Sequence, residues 1–315
     1  MEPAPVDLSS NIKRIGIINE SLVVDNTEVS SDLEAWVTYT DQQLSEAAKE
    51  AALAGLFDEL SKDSRFDTIL LLQNTKNELL GSNEIPWNSM EMLCKRYNVD
   101  ALFALAFYET DTQISLKKTK IEQKDMLRER ISLSGHEITL ETLIENGWRI
   151  YDPFNKKILD EITLNNQIIS KAKGEDPIRA FQAIENRTDS VLVISKETGS
   201  NFGLRLQPYA QTISRAYFAK GTENLEKADA LAQSENWQSA AELWKLDLSH
   251  PKPKIRSRAY FNMAVVNELH GDLNTAIDWA AKSYGVYESK ITEQYLDALN
   301  HRLVRHKQLE EQFLH

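Results

Sequence analysis

Two carboxylates that follow an apolar run are the side chains best placed to do chemistry in this sequence. Glu109 and Asp111 are two residues apart, so on a strand both would point to the same face. Ligands often bind where the strands of an α/β sheet end, and Asn19 and Asn74 follow two other apolar runs. These four residues define a candidate pocket for a small ligand, with an ordinary charged sheet edge as the alternative interpretation.

The other reactive side chains form no recognised catalytic or metal-binding motif. His301 and His306 are five residues apart, rather than the four that would place two metal ligands on one helix face. Cys94 falls on the apolar stripe of a predicted helix with no histidine nearby in sequence, which favours a buried structural thiol over a nucleophile. Neither a glycine-rich phosphate loop nor a His-Glu-x-x-His motif occurs. The sequence therefore predicts no metal, no cofactor and no enzyme.

The composition narrows the classes of partner. The 315 residues include 48 acidic and 36 basic side chains, a net charge of −12, which disfavours nucleic acid because phosphates need a basic face. Cys94 is the only cysteine, so internal disulfides and cysteine-rich zinc modules are excluded. No apolar run approaches the roughly 18 residues that a membrane-spanning helix requires. The length suggests two domains.

Hydrophobic periodicity predicts α/β layering in the first part of the chain. Three short apolar runs are typical of buried strands, and they alternate with two stripes of helical spacing. The predicted strands are 12–18, 67–72 and 101–107, and the predicted helices are 47–60 and 90–97. Residues 19–40 are predicted to form a long loop. Asn88 or Ser89 is predicted to cap the second helix, because both side chains can accept a main-chain hydrogen bond.

Beyond residue 110 apolar and polar residues alternate, which favours half-buried antiparallel strands. A hairpin turn is predicted at 152–155, where proline stands second and asparagine fourth. Asp176 and Pro177 are predicted to open a helix, since proline is favoured at the first helical position. Residues 209–218 are predicted to be a last strand that returns to the sheet. The predicted fold class of this part is α/β (α+β), with a mixed sheet.

From Thr222 onward the pattern is helical. Ala240 and Ala276 occupy equivalent places 36 residues apart, which fits a 34-residue helical repeat with a two-residue insertion. The sequence here resembles a tetratricopeptide repeat, in which small residues let two helices approach closely and aromatic residues fill the gap. The matching residues are Tyr260, Met263, Ala264, Gly271, Ala276 and Ser283.

The tetratricopeptide resemblance implies a protein or peptide partner. In such arrays the first helix of each repeat lines the concave face, which implies that one set of side chains contacts the partner. This set is Arg258, Phe261, Asn262, Val265 and Glu268. Arg258 also ends a basic run that opposes the helix dipole. That run is interpreted as a solvated loop or, alternatively, as a docking patch for an acidic peptide or a phosphate.

The first 220 residues resemble the small α/β domain of Gram-negative envelope proteins related to the curli-secretion lipoprotein and the N-terminal domain of TolB. The resemblance lies in residues 99–102, which enter a predicted strand, and in the predicted hairpin 151–159. Residues 3–8 and 12–15 also resemble the start of an uncharacterised group of predicted envelope lipoproteins. This resemblance implies a signal peptide and a lipidated cysteine upstream of Met1.

Together these observations predict an extended leader at 1–10, an α/β domain at 11–220 and a tetratricopeptide-like helical domain at 221–315. The predicted function is that of a non-catalytic envelope adaptor or scaffold that binds a protein through its helical repeats. The alternative is an enzyme or small-ligand sensor that uses the strand ends. The expected location is the periplasm, with membrane attachment only through a lipid anchor, or the cytoplasm if Met1 is the native start.

Overall fold

The computed structural model describes residues 1–21, 32–72, 86–124 and 130–313. The chain divides into two compact units. The α/β unit is Val6–Gln207, and the helical unit combines Met1–Pro5 with Pro208–His315. The predicted fold class is confirmed: a mixed sheet with helices is followed by an all-helical region. The two units divide at residue 207, whereas the sequence predicted a domain boundary at residue 220.

The α/β unit is built on a five-stranded sheet in the order β2-β1-β3-β4-β5. β1 is parallel to β2 and β3, and β3, β4 and β5 are successively antiparallel. The strands are β1 Arg14–Asn19, β2 Thr68–Leu71, β3 Ala101–Lys124, β4 Arg130–Asp152 and β5 Lys157–Gly174. The helices are α1 Asp32–Leu60, α2 Trp87–Tyr97, α3 Pro177–Gln182 and α4 Arg187–Leu204.

The apolar residues of β1 explain why helices cover both faces of the sheet. Ile15 and Ile17 lie in the cluster that includes α1 and α4, and Ile18 lies in the cluster that includes α2. On the α4 side, Phe202 stacks on Trp148 of β4 with ring centroids 5.1 Å apart. A strand that is apolar on both faces must be covered on both faces, so β1 occupies the interior of the sheet.

Glycines set the distance between α1 and α4. A Cβ atom added at Gly199 would collide with the carbonyl oxygen of Ala52, and one added at Gly55 would collide with that of Lys196. The Ser200 hydroxyl donates a hydrogen bond of 3.1 Å to the Gly55 carbonyl oxygen across the same crossing. The two helices therefore pack backbone against backbone, which only residues without a side chain permit.

The structure corrects the predicted boundaries of β3 and α1. β3 continues from Ala101 to Lys124, because a register shift between Leu105 and Phe107 lets one strand carry both the apolar run and the alternating run. The helix α1 begins at Asp32, inside the predicted loop 19–40. Acidic residues suit the first turn of a helix, because they face the positive end of its dipole, so a polar stretch need not be a loop.

The start of α2 was also predicted wrongly, and the start of α3 correctly. The residue before α2 is Pro86, with extended φ −62° and ψ 136°, and no side chain within 86–97 caps the first turn. Proline fixes φ and so defines this boundary without help from Asn88 or Ser89. At α3 the Asp176 carboxylate accepts a hydrogen bond from the main-chain N–H of Arg179.

The helical unit consists of two antiparallel pairs and a longer last helix. The helices are α5 Glu223–Gln233, α6 Trp237–Leu246, α7 Pro253–Leu269, α8 Leu273–Val286 and α9 Lys290–Phe313. Asn236 and Asp272 cap α6 and α8, each accepting a hydrogen bond from the main-chain N–H three residues later. Ala240 and Ala276 are fully buried at the same point of each helix. The 36-residue spacing seen in sequence is thus a spacing of equivalent helix positions.

The first residues of the chain belong to the helical unit. Ala4 exchanges main-chain hydrogen bonds with the Gln312 carboxamide of α9, at 2.8 and 3.3 Å. The Glu2 carboxylate lies 3.1 Å from Arg305, and Glu2 also pairs with Tyr209 in an isolated antiparallel bridge. In the described part of the chain, no helix is long and apolar enough to cross a membrane.

Residues 209–220, which we call the strap, connect α4 to the helical bundle. All of them are described, and residues 209–218 form no strand; only Tyr209 makes the bridge to Glu2. The predicted last strand is therefore wrong. Arg215, Tyr217 and Phe218 of this segment contact the helices of the helical unit, so their alternation does not belong to a sheet.

We predict that Gly199→Ala lowers the free energy of unfolding by about 1–3 kcal/mol, because the added methyl group must push α1 and α4 apart. The control is Val193→Ala on the exposed side of the same helix, which should change stability by less than about 0.5 kcal/mol. Chemical denaturation followed by circular dichroism measures both. A Gly199→Ala protein as stable as the wild type would contradict the close crossing.

Candidate functional site

The five side chains predicted to contact a partner line a groove along α7, and the strap fills that groove. Four of the five residues are buried, and Arg258 is half-buried. Phe218 of the strap packs in the same cluster as Phe261 and Val265. The prediction of an open partner surface therefore needs correction, because the chain's own residues cover it. We call this set, Arg258, Phe261, Asn262, Val265 and Glu268, the α7 groove.

A carboxamide inside the groove holds the main chain of the strap. The N–H of Phe218 donates to Asn262 Oδ1 at 2.7 Å, and Asn262 Nδ2 donates to the Phe218 carbonyl oxygen at 2.8 Å. Asn262 is fully buried. A residue whose N–H and C=O point to the same side is arranged as in an extended strand. The Asn262 side chain therefore recognises extended main chain, whatever the side chain attached to it.

The ring of Phe218 lies between an aromatic and a cationic side chain. Its centroid is 5.1 Å from that of Phe261 in a T-shaped arrangement, and 5.2 Å from the guanidinium carbon of Arg258. Arg258 also donates a hydrogen bond of 2.6 Å to the carbonyl oxygen of Lys220. Arg258 thus binds the strap rather than standing free as part of a solvated basic run.

The far end of the groove is a buried carboxylate with three donors. Glu268 accepts two hydrogen bonds from Arg215 of the strap at 2.9 Å, one from Arg302 at 2.6 Å and one from Tyr295 at 2.8 Å. Burial acts to raise the pKa of Glu268, but the hydrogen bonds from Arg215, Tyr295 and Arg302 outweigh it and hold that pKa below its ordinary value. Glu268 is therefore a fixed negative charge that binds a cation from the strap.

Tyr217 is the third strap side chain that anchors in the helices. Its hydroxyl donates to the Asp229 carboxylate at 2.7 Å, and its ring lies 5.8 Å from Trp237 and 5.7 Å from Trp244 between centroids. Trp244 is buried among the helices, and Trp237 packs against the same cluster. Sequence analysis missed Arg215, Tyr217 and Phe218 as groove ligands, because their alternation was interpreted as a strand.

The predicted pocket at the strand ends is not assembled. Pairing of β1 with β3 ends at Asn19 and Leu105, whereas Glu109 and Asp111 lie further along β3, exposed to solvent. They do not mark a strand end, because β3 continues to Lys124. Asn19 Oδ1 accepts hydrogen bonds from the main chain and hydroxyl of its neighbour Ser21. Asn74 lies outside the described residues.

Glu20, which directly follows the last residue of β1, has a carboxyl group with unusual surroundings. The Glu20 side chain accepts a hydrogen bond of 3.0 Å from the Tyr151 hydroxyl, and Arg149 lies 3.5 Å from the same hydroxyl. The other carboxyl oxygen, Oε1, is buried and has no hydrogen-bond partner among the described residues. Burial raises the pKa of Glu20 to about 7, although Tyr151 and Arg149 act to lower it. Glu20 can therefore take up or release a proton near neutral pH.

Metal and thiol chemistry find no support in the described part of the chain. It contains no group of three or more histidine, cysteine, aspartate or glutamate side chains placed to hold a metal ion. Cys94 is buried among the apolar residues of α2, as predicted, and burial raises the pKa of its thiol to about 12. At neutral pH this thiol is protonated and a poor nucleophile.

We predict that Glu268→Gln lowers the free energy of unfolding by about 3 kcal/mol at pH 7, because Arg215 and Arg302 lose their buried counter-charge. The effect should shrink below about pH 4. The pKa of Glu268 is depressed in the folded protein, so its stabilising contribution is present above the ordinary glutamate pKa and is lost as pH falls through the folded value.

The control for this variant is Glu242→Gln, which breaks an exposed ion pair with Lys245 and should cost less than about 1 kcal/mol. Denaturation at pH 7 and at pH 3 to 4 measures both variants. Equal losses for Glu268→Gln and Glu242→Gln at pH 7 would show that the buried cluster is not what stabilises the helical unit.

Comparison with family models gives two matches. Residues 226–301, within the helical unit, match a domain of unknown function, DUF6340. Residues 12–218 match another domain of unknown function, DUF8603. A search of curated proteins gives no match. The residues 12–218 are more than half of the chain, and the chain therefore belongs to the family of the domain of unknown function DUF8603.

Proposed function

We propose that this protein is a non-catalytic adaptor or scaffold of the cell envelope, whose helical unit binds an extended segment of a protein partner. The observation that carries the proposal is the Asn262 carboxamide, which holds the main-chain N–H and C=O of one residue at 2.7 and 2.8 Å. Such a contact suits an extended peptide, because it is indifferent to the peptide's sequence and leaves selectivity to the side chains.

The groove supplies selectivity at two further points. Glu268 presents a fixed negative charge to a cationic side chain, and Phe261 with Arg258 presents a site for an aromatic ring. In the strap these positions are taken by Arg215 and Phe218, three residues apart. The preferred partner segment therefore has a cation followed three residues later by an aromatic residue.

The envelope location is supported by the resemblance of residues 3–8 and 12–15 to envelope lipoproteins. On that interpretation a lipid on an upstream cysteine attaches the protein to the membrane, and the helical unit recruits a partner there. The tetratricopeptide-like character of the helices is supported by the paired caps Asn236 and Asp272 and by the buried alanines at equivalent positions.

We predict that the groove binds a peptide in trans when the strap is weakened. The receptor is the full chain with Arg215→Ala and Phe218→Ala, and the probe is a fluorescent synthetic peptide of residues 209–221. Fluorescence anisotropy should show saturable binding. A control peptide in which the same arginine and phenylalanine are alanine should bind at least tenfold more weakly, a difference of about 1.4 kcal/mol.

Circular dichroism must show that this receptor keeps its helices. If the folded receptor binds neither peptide, or binds both equally, the groove does not recognise extended peptides in the way proposed. The choice of these substitutions matters, because Phe261 is only 4% exposed and its replacement by alanine would test folding rather than binding.

A second candidate function is that of a small-ligand sensor or an enzyme whose site lies at the carboxyl end of β1. The observation that favours it is Glu20, whose buried Oε1 has no partner among the described residues and whose pKa is raised to about 7. Groups with such perturbed ionisation cluster at functional sites. Glu20 lies at the carboxyl end of β1, next to the register shift of β3, where its main-chain N–H donates to the Leu105 carbonyl oxygen.

We predict that Glu20→Gln removes a pH dependence of stability between about pH 4.5 and 7. The folded protein keeps the proton of Glu20 over this interval while the unfolded chain has released it, so the wild type loses stability as pH rises. By pH 8 the loss should reach about 3 kcal/mol, and the glutamine variant should not show it. Parallel curves of stability against pH for the two proteins would eliminate Glu20 as a neutral-pH titrating group.

A further inference from the structure

We propose that a partner segment can displace the strap from the α7 groove. The free protein is then autoinhibited until a segment of the same chemistry as the strap replaces it. This inference rests on the proposed function and adds its regulation. The ligand class is an extended peptide with an arginine or lysine, followed three residues later by an aromatic side chain.

The strap is held by few interactions for its length. Residues 210–220 make no main-chain to main-chain hydrogen bond with any described residue, and 210–214 are exposed to solvent. Their attachment consists of the Arg215, Tyr217 and Phe218 side chains, the Asn262 pair and one hydrogen bond from Arg258. Segments that are largely exposed and lack main-chain to main-chain hydrogen bonds open at lower free energy than helices, so the strap can leave while the helices stay folded.

The helices tolerate departure of Arg215 and Tyr217, the two strap side chains that are hydrogen-bonded to carboxylates. Glu268 keeps its hydrogen bonds from Tyr295 and Arg302 when Arg215 leaves. Asp229 keeps a hydrogen bond of 3.0 Å from the Gln233 carboxamide when the Tyr217 hydroxyl leaves. Neither carboxylate would then be an isolated buried charge, which is the arrangement that would forbid opening.

Asn262, unlike Glu268 and Asp229, loses its hydrogen bonds when the strap leaves. The groups that it then needs identify the kind of segment that can replace the strap. Its side chain is fully buried, and its carboxamide oxygen and nitrogen are both hydrogen-bonded to the main chain of Phe218. Opening exposes a polar group that needs both a donor and an acceptor, and a buried amide left without them is costly. Another extended main chain supplies both at once. The site therefore accepts a strand-like segment and disfavours a helix, whose main-chain groups are already paired within the helix.

Charge also favours a cationic segment. The chain carries a net charge of −12, and the carboxylates of Glu268 and Asp229 lie at the groove. A partner segment competes with a strap that is tethered at both ends and thus has a high effective concentration. The apparent affinity of the wild type is lowered by the fraction of molecules in which the groove is open.

The experiment compares three full-length proteins as receptors for the labelled 209–221 peptide. They are the wild type, the anchor variant with Arg215→Ala and Phe218→Ala, and a matched control with Gln211→Ala and Ser214→Ala, whose side chains are exposed on the same strap. The anchor variant should bind at least tenfold more tightly than the wild type, and the control should equal the wild type. A milder variant with Arg215→Gln and Phe218→Leu replaces the anchor variant if the latter does not fold.

Hydrogen exchange on the wild type provides the direct readout of displacement. The Phe218 amide, bonded to Asn262, should lose protection when unlabelled peptide is added in excess, while the amides of α8 keep theirs. Equal affinity for wild type and anchor variant, with Phe218 protection unchanged, overturns autoinhibition but leaves the proposed function standing. No binding by any folded receptor overturns the proposed function itself.

The remaining occupant of the groove to test for is the strap of a second copy of the chain. Such an exchange of straps would appear in sedimentation as a concentration-dependent dimer of the wild type that the anchor variant does not form, and it would overturn the assignment of a foreign partner in favour of a second copy.

Discussion

The helical unit depends on a carboxylate that has been removed from water. Glu268 on α7 replaces its lost hydration with donors from two other parts of the chain, Arg215 in the strap and Tyr295 and Arg302 in α9. All three donors must reach the same carboxylate, so this single buried charge fixes the strap and α9 relative to α7. Removal of one member of such a buried ion cluster leaves the remaining charges unpaired, which is strongly destabilising.

The two units use different residue types to bring two helices close together. In the α/β unit, Gly55 and Gly199 let α1 and α4 touch through their backbones. In the helical unit the close contact of α7 with α8 runs through small hydroxyl side chains, where the Ser283 hydroxyl donates to the Ser257 carbonyl oxygen at 2.8 Å. The first kind of contact tolerates no added atom.

Sequence periodicity predicted what depends on local burial and could not predict what depends on a distant partner. The first two strands, the start of β3 and the cap at Asp176 all follow from patterns within a few residues of chain. The α7 face was identified, but whether it is open or covered depends on Phe218, whose main-chain partner Asn262 lies 44 positions later. Likewise, nothing in the residues around Glu20 indicates that Tyr151, 131 positions later, would donate a hydrogen bond to it.

The placement of the first five residues has a consequence for the order in which the protein can be completed. Ala4 finds its hydrogen-bond partner at Gln312, 308 positions later, and Glu2 finds Arg305. During synthesis Glu2 and Ala4 are made before the whole α/β unit, and their partners in α9 are made after it. The helical unit therefore cannot close until α9 has been made, and until then Glu268 in the α7 groove lacks its donors Tyr295 and Arg302.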